Sequence, residues 1–181
     1  NTPYCAAEWQ GRDPGGRRDD RYQFAALTNP ELVTPWVALL DELALPLAGV
    51  HLLPMAGTAL VRKLELAAPH VMLIACTSGG LRLSYYRAGQ FRLSRLTRFD
   101  DAGASNRAQF YVDEIANTRL YLHALQAAAL DEPLAIVLLD PHDTDAEVHC
   151  AVAAESPSLQ CLRLGGSEIA RVVKHRAFAS P

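Results

Sequence analysis

The densest run of metal-binding residue types is His142-Asp143-Thr144-Asp145-Ala146-Glu147-Val148-His149-Cys150. In an extended strand Asp143, Asp145, Glu147 and His149 share one face, and in a helix Asp145 and His149 stand four apart. Imidazole and carboxylate are both zinc ligands, so His142, Asp143, Asp145 and His149 make a candidate metal site. Two histidines without a third fixed donor equally describe a solvated acidic loop, the plainer reading. The position keeps the chemistry open, because the run follows an apolar strand and α/β sheets bind ligands beyond the carboxyl ends of their strands.

Two glycine turns can aim backbone N–H groups at a phosphate. Thr77, Ser78, Gly79 and Gly80 form one, and Gly165 and Gly166, within Leu164-Gly165-Gly166-Ser167-Glu168, form the other. The competing readings are a tight hairpin turn that needs glycine dihedrals and a turn that opens a helix. Arg17, Arg18, Asp19, Asp20 and Arg21 suit a loop that docks a partner, or a solvated patch of self-cancelling charge. Arg82, Arg87, Arg92, Arg95 and Arg98 interleave with Tyr85, Tyr86 and Phe91, as in proteins that clamp and stack single-stranded nucleic acid. Nucleophilic catalysis has no support, since no GxSxG occurs and Cys76 ends an apolar run. His51, His70, His123 and His175 each stand isolated in the sequence.

The elements that must position these groups follow from spacing. Gly11, Pro14, Gly15 and Gly16 break regular structure, so residues 1–20 read as a loop. Tyr22 to Leu27 reads as a strand. Asn29-Pro30 is a helix start, and Leu32, Trp36, Leu39, Leu40 and Leu43 recur at helical spacing up to Pro46. Val50 to Leu53 reads as a strand and residues 55–66 as a second helix. Val71 to Cys76 is a buried strand. Leu81, Leu83 and Tyr85 then alternate with Arg82, Ser84 and Tyr86, and Ala88-Gly89 turns the chain into Phe91 to Leu96. This hairpin should turn Leu81, Leu83, Tyr85 and Phe91 inward and its arginines outward. A long helix over roughly 106–129 carries Phe110, Ile115, Leu120, Tyr121, Leu122 and Leu125 near its apolar stripe. Leu134 to Leu139 is a fully apolar strand. Residues 146–154 suit helix or strand, Leu159 to Leu164 is a last strand, and a final helix runs over roughly 167–176. The order is β-α-β-α, then β-β-β-α-β-α-β with a closing helix. It predicts an α/β fold with a mixed sheet and helices on both faces.

Composition bounds the class. The 181 residues are 50% hydrophobic and 20% charged, which is globular and leaves room for one domain or two small ones. Seventeen Lys and Arg stand against 20 Asp and Glu, a net charge of −3, so no basic field draws nucleic acid. No apolar run approaches the roughly 20 residues of a membrane span, and the start lacks the pattern of a secretory signal. A chain without an initiator Met reads as a trimmed piece of something longer. The four cysteines, at 5, 76, 150 and 161, form no CxxC and predict buried free thiols in a reducing cytosol.

The element order resembles that of ribonuclease H-like domains, and with the β-α-β-α segment before it, the latter part of an actin-like ATPase fold. The stretches Phe24-Ala-Ala-Leu-Thr-Asn-Pro-Glu-Leu-Val and Leu45-Pro-Leu-Ala-Gly-Val-His-Leu-Leu-Pro-Met-Ala resemble the end of the first domain in PilM- and GspL-like assembly proteins. Gly80-Leu-Arg-Leu-Ser-Tyr-Tyr-Arg-Ala-Gly-Gln-Phe-Arg-Leu-Ser-Arg resembles the start of their second domain. The resemblance spans most of residues 21–165. It implies a first-subdomain remnant over 1–66 and a ribonuclease H-like subdomain over 67–181.

The departures from that pattern carry the functional expectation. The turn at 77–80 lacks the carboxylate that holds a metal-bound water in actin-like ATPases. Leu139-Asp140-Pro141 occupies the place of the adenosine-side glycine pair, and Gly165-Gly166 arrives one strand late. Val71 to Cys76 has no Asp or Glu, which excludes a two-metal nuclease. The resemblance therefore implies a non-catalytic scaffold of a pilus or secretion machine, with protein partners that include membrane-associated assembly proteins. It also implies a cytoplasmic location (alone or as the soluble part of a longer membrane-associated protein) and no required cofactor, ATP being admissible at an incomplete site. The acidic net charge argues against nucleic acid, and a sheet edge at Tyr22 to Leu27 left without partner strands predicts a homodimer. The alternative is an enzyme built on residues 142–149 or on the Gly79-Gly80 turn.

Overall fold

The computed structural model describes residues 4–12, 19–27, 29–99, 106–155 and 159–173. The chain forms two compact units, Asn1–His51 and Leu52–Pro181.

The first unit holds an antiparallel hairpin of β1 (Tyr4–Arg12) and β2 (Asp20–Leu27), then a 3-10 turn over Pro30–Leu32 and helix α1 (Thr34–Glu42). Strand β1 corrects the expected loop over 1–20. Its pairing with β2 runs from Tyr4↔Leu27 to Arg12↔Asp20, with a bulge between Trp9 and Gly11. Gly11 sits there at φ +102°, so the glycine that suggested a loop instead admits the bulge. The strand expected at Val50–Leu53 is also corrected. Pro54 follows within the first turn of helix α2 (Leu53–Lys63), where its missing N–H costs nothing, and residues 43–52 are neither helix nor strand.

The second unit is a mixed α/β structure around a five-stranded sheet of order β5-β4-β3-β6-β7. Strands β3 (His70–Thr77), β4 (Gly80–Arg87) and β5 (Gln90–Thr97) are antiparallel neighbours. Strands β6 (Leu134–Asp140) and β7 (Gln160–Gly165) extend the sheet parallel to β3. Along the chain α3 (Arg107–Ala124) lies between β5 and β6, α4 (Ala146–Glu155) lies between β6 and β7, and α5 (Gly166–Val173) follows β7. Residues 146–154, open between helix and strand from sequence, are helix. Of the final helix expected over 167–176, positions 174–176 lie outside the described residues.

Both faces of the sheet are covered, as expected, and the one-sided burial read for the hairpin is corrected. Met72, Ile74, Leu81, Leu83, Tyr85, Ile136 and Leu138 pack against α3 and α4. Val71, Leu73, Tyr86, Ala135 and Val137 pack on the other side against Leu60 and Val61 of α2. Burying two faces of a central strand removes the polar-out alternation, so Ser84 and Tyr86 are as buried as Leu83 and Tyr85. A bulge pairs Tyr86 with Phe91, which turns Phe91 to the face opposite Tyr85. The two rings meet edge to face at 5.8 Å.

Helix α3 also departs from its expected stripe. Its buried positions are Tyr111, Glu114, Ile115, Thr118 and Leu122, while Leu120, Tyr121 and Leu125 are exposed. The helix ends at Ala124, before Gln126 at φ +54°, rather than at 129. Picking apolar residues alone set the phase wrongly, because the core face includes a paired glutamate. Glu114 accepts from Thr97 Oγ1 at 2.6 Å and lies 3.3 Å from Arg95.

Candidate functional site at the carboxyl edge of the sheet

Strands β6 and β7 end side by side at Asp140 and Gly165, which pair in register. Asp140 is the first polar residue after the apolar run Leu134 to Leu139 and is itself buried. Its carboxylate accepts from the backbone N–H groups of Thr144 and Asp145, each at 2.8 Å, and so ties the loop after β6 to the strand end. Arg163 of β7 donates Nε to Asp140 at 2.9 Å and Nη2 to Asp143 at 2.8 Å. Burial alone would raise the Asp140 pKa. The N–H groups of Asp145 and Thr144 and the Arg163 guanidinium outweigh it and hold the carboxyl below its ordinary value.

A second clamp stands beside the first. Asp145, buried just before α4, receives Arg107 Nη2 at 3.0 Å on Oδ2 and lies 3.3 Å from the Tyr111 hydroxyl. The same Arg107 nitrogen is 2.9 Å from Oδ1. The guanidinium lies over the rings of Phe99 and Tyr111, at 5.8 and 5.6 Å from their centroids. Burial first, then the Asp145 charge and the Cys76 thiol, push the Tyr111 hydroxyl up, so it stays protonated.

The four candidate metal ligands do not converge. Asp143 and Asp145 serve different arginines, His142 is exposed, and His149 turns its Nε2 to the Cys161 carbonyl at 3.5 Å. Asp145 and His149 are four apart, and His149 N donates to Asp145 O, yet their side chains diverge. Among the described residues no group of three or more His, Cys, Asp or Glu is placed to hold a metal ion.

The glycines have structural partners. Gly80 sits at φ +124°, and a Cβ there would stand 2.3 Å from the Thr97 carbonyl oxygen. A Cβ on Gly79 would meet nothing closer than 3.6 Å. Thr77 Oγ1 donates to the Gly80 carbonyl at 3.1 Å and closes the two-residue turn through Ser78. Gly165 and Gly166 let the β6 loop approach, since Cβ atoms there would stand 2.4 Å from Asp143 Oδ1 and 2.7 Å from Pro141 O. Gly166 opens α5, and Glu168 accepts from Gly165 N at 2.9 Å in the manner of a helix cap.

Arg17 and Arg18 lie outside the described residues. Asp20 accepts from Trp9 Nε1 at 3.2 Å and lies 3.4 Å from Arg12, Asp19 is exposed, and Arg21 faces Gly11 across the hairpin. The hairpin arginines separate: Arg95 joins Glu114 on the α3 face, Arg82 lies on the α2 face, and Arg87, Arg92 and Arg98 are exposed. Sequence reasoning missed the clamps of Arg163 and Arg107. The available signal was an Asp ending an apolar strand with an Arg in the next parallel strand.

The larger unit is a mixed α/β structure built on a five-stranded mixed sheet, in line with the expected class. Among solved structures the chain is similar to the "PilM-PilN type IV pilus biogenesis complex", with a TM-score of 0.59 at 12% identity. That match covers 91% of this chain and 57% of the other, so the chain spans little more than half of its structural neighbour. No family model matches the chain. No curated protein matches it either. No helix among the described residues is long and apolar enough to cross a membrane.

Proposed function

We propose that the chain is a non-catalytic, PilM-like scaffold that binds protein partners in a pilus-type assembly system, on the cytoplasmic side of the envelope. The observation that carries this reading is the occupancy of the carboxyl edge by the chain's own groups. There Asp140 and Asp143 are taken by Arg163, and Asp145 by Arg107. An actin-like ATPase needs carboxylates free to order a metal and its water. Gly80, Gly165 and Gly166 are likewise accounted for by close approaches of the chain to itself. The likeness to one component set of a pilus complex supplies the setting.

The test is magnesium-dependent ATP hydrolysis by the purified chain. The expected rate is the no-protein background, unchanged in Gly79→Ala, which the turn tolerates. Hydrolysis above background that disappears in Gly79→Ala would sink the scaffold reading.

A further inference from the structure

His70, at the start of β3, is buried and stands in a row of hydrogen-bond contacts. Its Nε2 lies 3.2 Å from Glu132 Oε2, and its Nδ1 lies 2.6 Å from the Tyr85 hydroxyl. That hydroxyl in turn lies 3.0 Å from the Ala127 carbonyl oxygen. Both ends of the row are acceptors, a carboxylate and a carbonyl. Three contacts therefore need three protons. Tyr85 supplies one, and keeps it, because burial pushes its hydroxyl up. A neutral imidazole supplies one more and an imidazolium two. Only the imidazolium fills the row.

With His70 neutral one contact stays empty, and donor chemistry decides which. Nε2–H goes to Glu132, because a carboxylate only accepts, and Nδ1 is then an acceptor as well. The Tyr85 O–H faces two acceptors, and Nδ1 is the nearer, at 2.6 Å against 3.0 Å. The Ala127 carbonyl is left without that donor. A proton on Nδ1 reverses the middle contact: the imidazolium donates to the Tyr85 oxygen, and the Tyr85 O–H turns to Ala127.

Ala127 and Glu132 both belong to the segment between α3 and β6, which lines a cleft of about 270 Å³ together with Arg87 and His123. Ala129 N donates to Glu132 Oε2 at 2.8 Å and braces that end of the row. The charged groups around His70 oppose one another. Glu132 favours the imidazolium, and Arg87, opposite His70 in the β3–β4 register, disfavours it. From α3, Arg119 lines the small pocket beside His70 but donates to the Leu130 carbonyl at 2.8 Å, and His123 lines the cleft. Arg87 and Arg92 also act on the Tyr85 hydroxyl.

We propose that His70 is a proton-operated latch: on taking up a proton it turns the Tyr85 hydroxyl from itself to the Ala127 carbonyl, so that the 125–132 segment is gripped at Ala127 as well as at Glu132. The grip is local. It tightens even as the buried charge lowers the stability of the whole unit. The latch lies within one unit and does not depend on the scaffold reading.

The test follows the isotope-labelled chain by NMR between about pH 4 and 8, reading the His70 ring nitrogens and the Ala127 carbonyl carbon. Neutral His70 is expected as the tautomer protonated on Nε2. The Ala127 carbonyl shift should titrate with the His70 midpoint, in the direction of a gained hydrogen bond as pH falls. In Tyr85→Phe, which keeps the ring and loses the hydroxyl, His70 should still titrate and Ala127 should no longer follow it. His123→Gln should leave the Ala127 midpoint in place, since His123 is the other imidazole at the cleft. The coincidence of midpoints in the unaltered chain stands even if a variant fails to fold. An Ala127 carbonyl that does not titrate, that loses its transition in His123→Gln, or that still follows His70 in Tyr85→Phe would overturn the latch. So would a neutral His70 protonated on Nδ1.

Discussion

Asp140 and His70 are buried titratable groups whose environments shift their pKa values and so couple stability to pH. Asp140 holds the β6–α4 loop through two backbone N–H groups, the Thr144 hydroxyl and Arg163, so Asp140→Ala leaves four donors without their acceptor. The expected cost is about 3 kcal/mol in urea unfolding, the range for breaking a buried pair from one side. Arg163→Ala should cost less, because the half-exposed arginine leaves water to its partners and the backbone bonds persist. His70 donates Nε2–H toward Glu132 at 3.2 Å, since a carboxylate can only accept, and its Nδ1 lies 2.6 Å from the Tyr85 hydroxyl. Burial lowers its pKa below 6.5, opposed by Glu132 and assisted by Arg87. A group depressed on folding contributes stability above its unfolded pKa and loses it as pH falls through the folded one. Stability should therefore fall below pH 6.5 through His70 and fall again below 3.8 through Asp140, from the directions of their shifts. Each proton limits the slope to about 1.4 kcal/mol per pH unit. His70→Gln should flatten the first decline in a pH series of unfolding curves. An unchanged slope would remove His70 as its source.

At the scale of elements, the β3–β4–β5 meander depends on two buried faces and one obligatory glycine. Gly80→Ala meets the Thr97 carbonyl at a positive φ and should cost on the order of 2 kcal/mol or more. Gly79→Ala should cost under about 0.5 kcal/mol, a contrast that thermal melts of the pair can read. Tyr85→Ala and Tyr86→Ala should each cost about 3–5 kcal/mol, because both rings are fully buried on opposite faces. A cheap Tyr86→Ala would mean that α2 does not cover that face. Ile74→Asp should abolish folding, as it puts an unpaired carboxylate in the central strand. The strands β3 to β7 were legible because each is a bounded apolar or alternating run. Strand β1 was not, because its register runs through a bulge at Gly11 that looks like a break in sequence. The stripe of α3 was hidden because Glu114 and Thr118 occupy core positions, which hydrophobicity alone never selects.

For the whole molecule, both apolar clusters lie in the unit Leu52–Pro181. Residues 52–181 expressed alone should therefore melt cooperatively, as seen by circular dichroism, with both cores intact. The first unit behaves differently, since Phe24 is 79% and Trp36 68% exposed in it. Large exposed apolar side chains beside a two-stranded sheet with open edges favour association. The chain should form dimers or looser assemblies through the 21–45 region. Light scattering at high micromolar concentration checks this, and a strict monomer, or association unchanged in Phe24→Lys, would contradict it.

The sequence by itself determined the strands of the larger unit and the place of its long helix. Runs such as Val71 to Cys76 and Leu134 to Leu139 admit little else in water, and glycine turns separate them. It also determined that charged residues cluster after β6. Tertiary structure alone decided what those charges do. His142 to His149 reads the same whether Asp143 and Asp145 face a metal or face arginines, and Arg107 and Arg163 are 38 and 20 positions from the aspartates they clamp. The same holds for Arg82, polar and outward by alternation, which stands beside an apolar cavity because α2 covers the face it occupies. Local pattern encodes the period of each element. The partner of a charge depends on which distant strand lies alongside it, and nothing in the neighbouring residues records that.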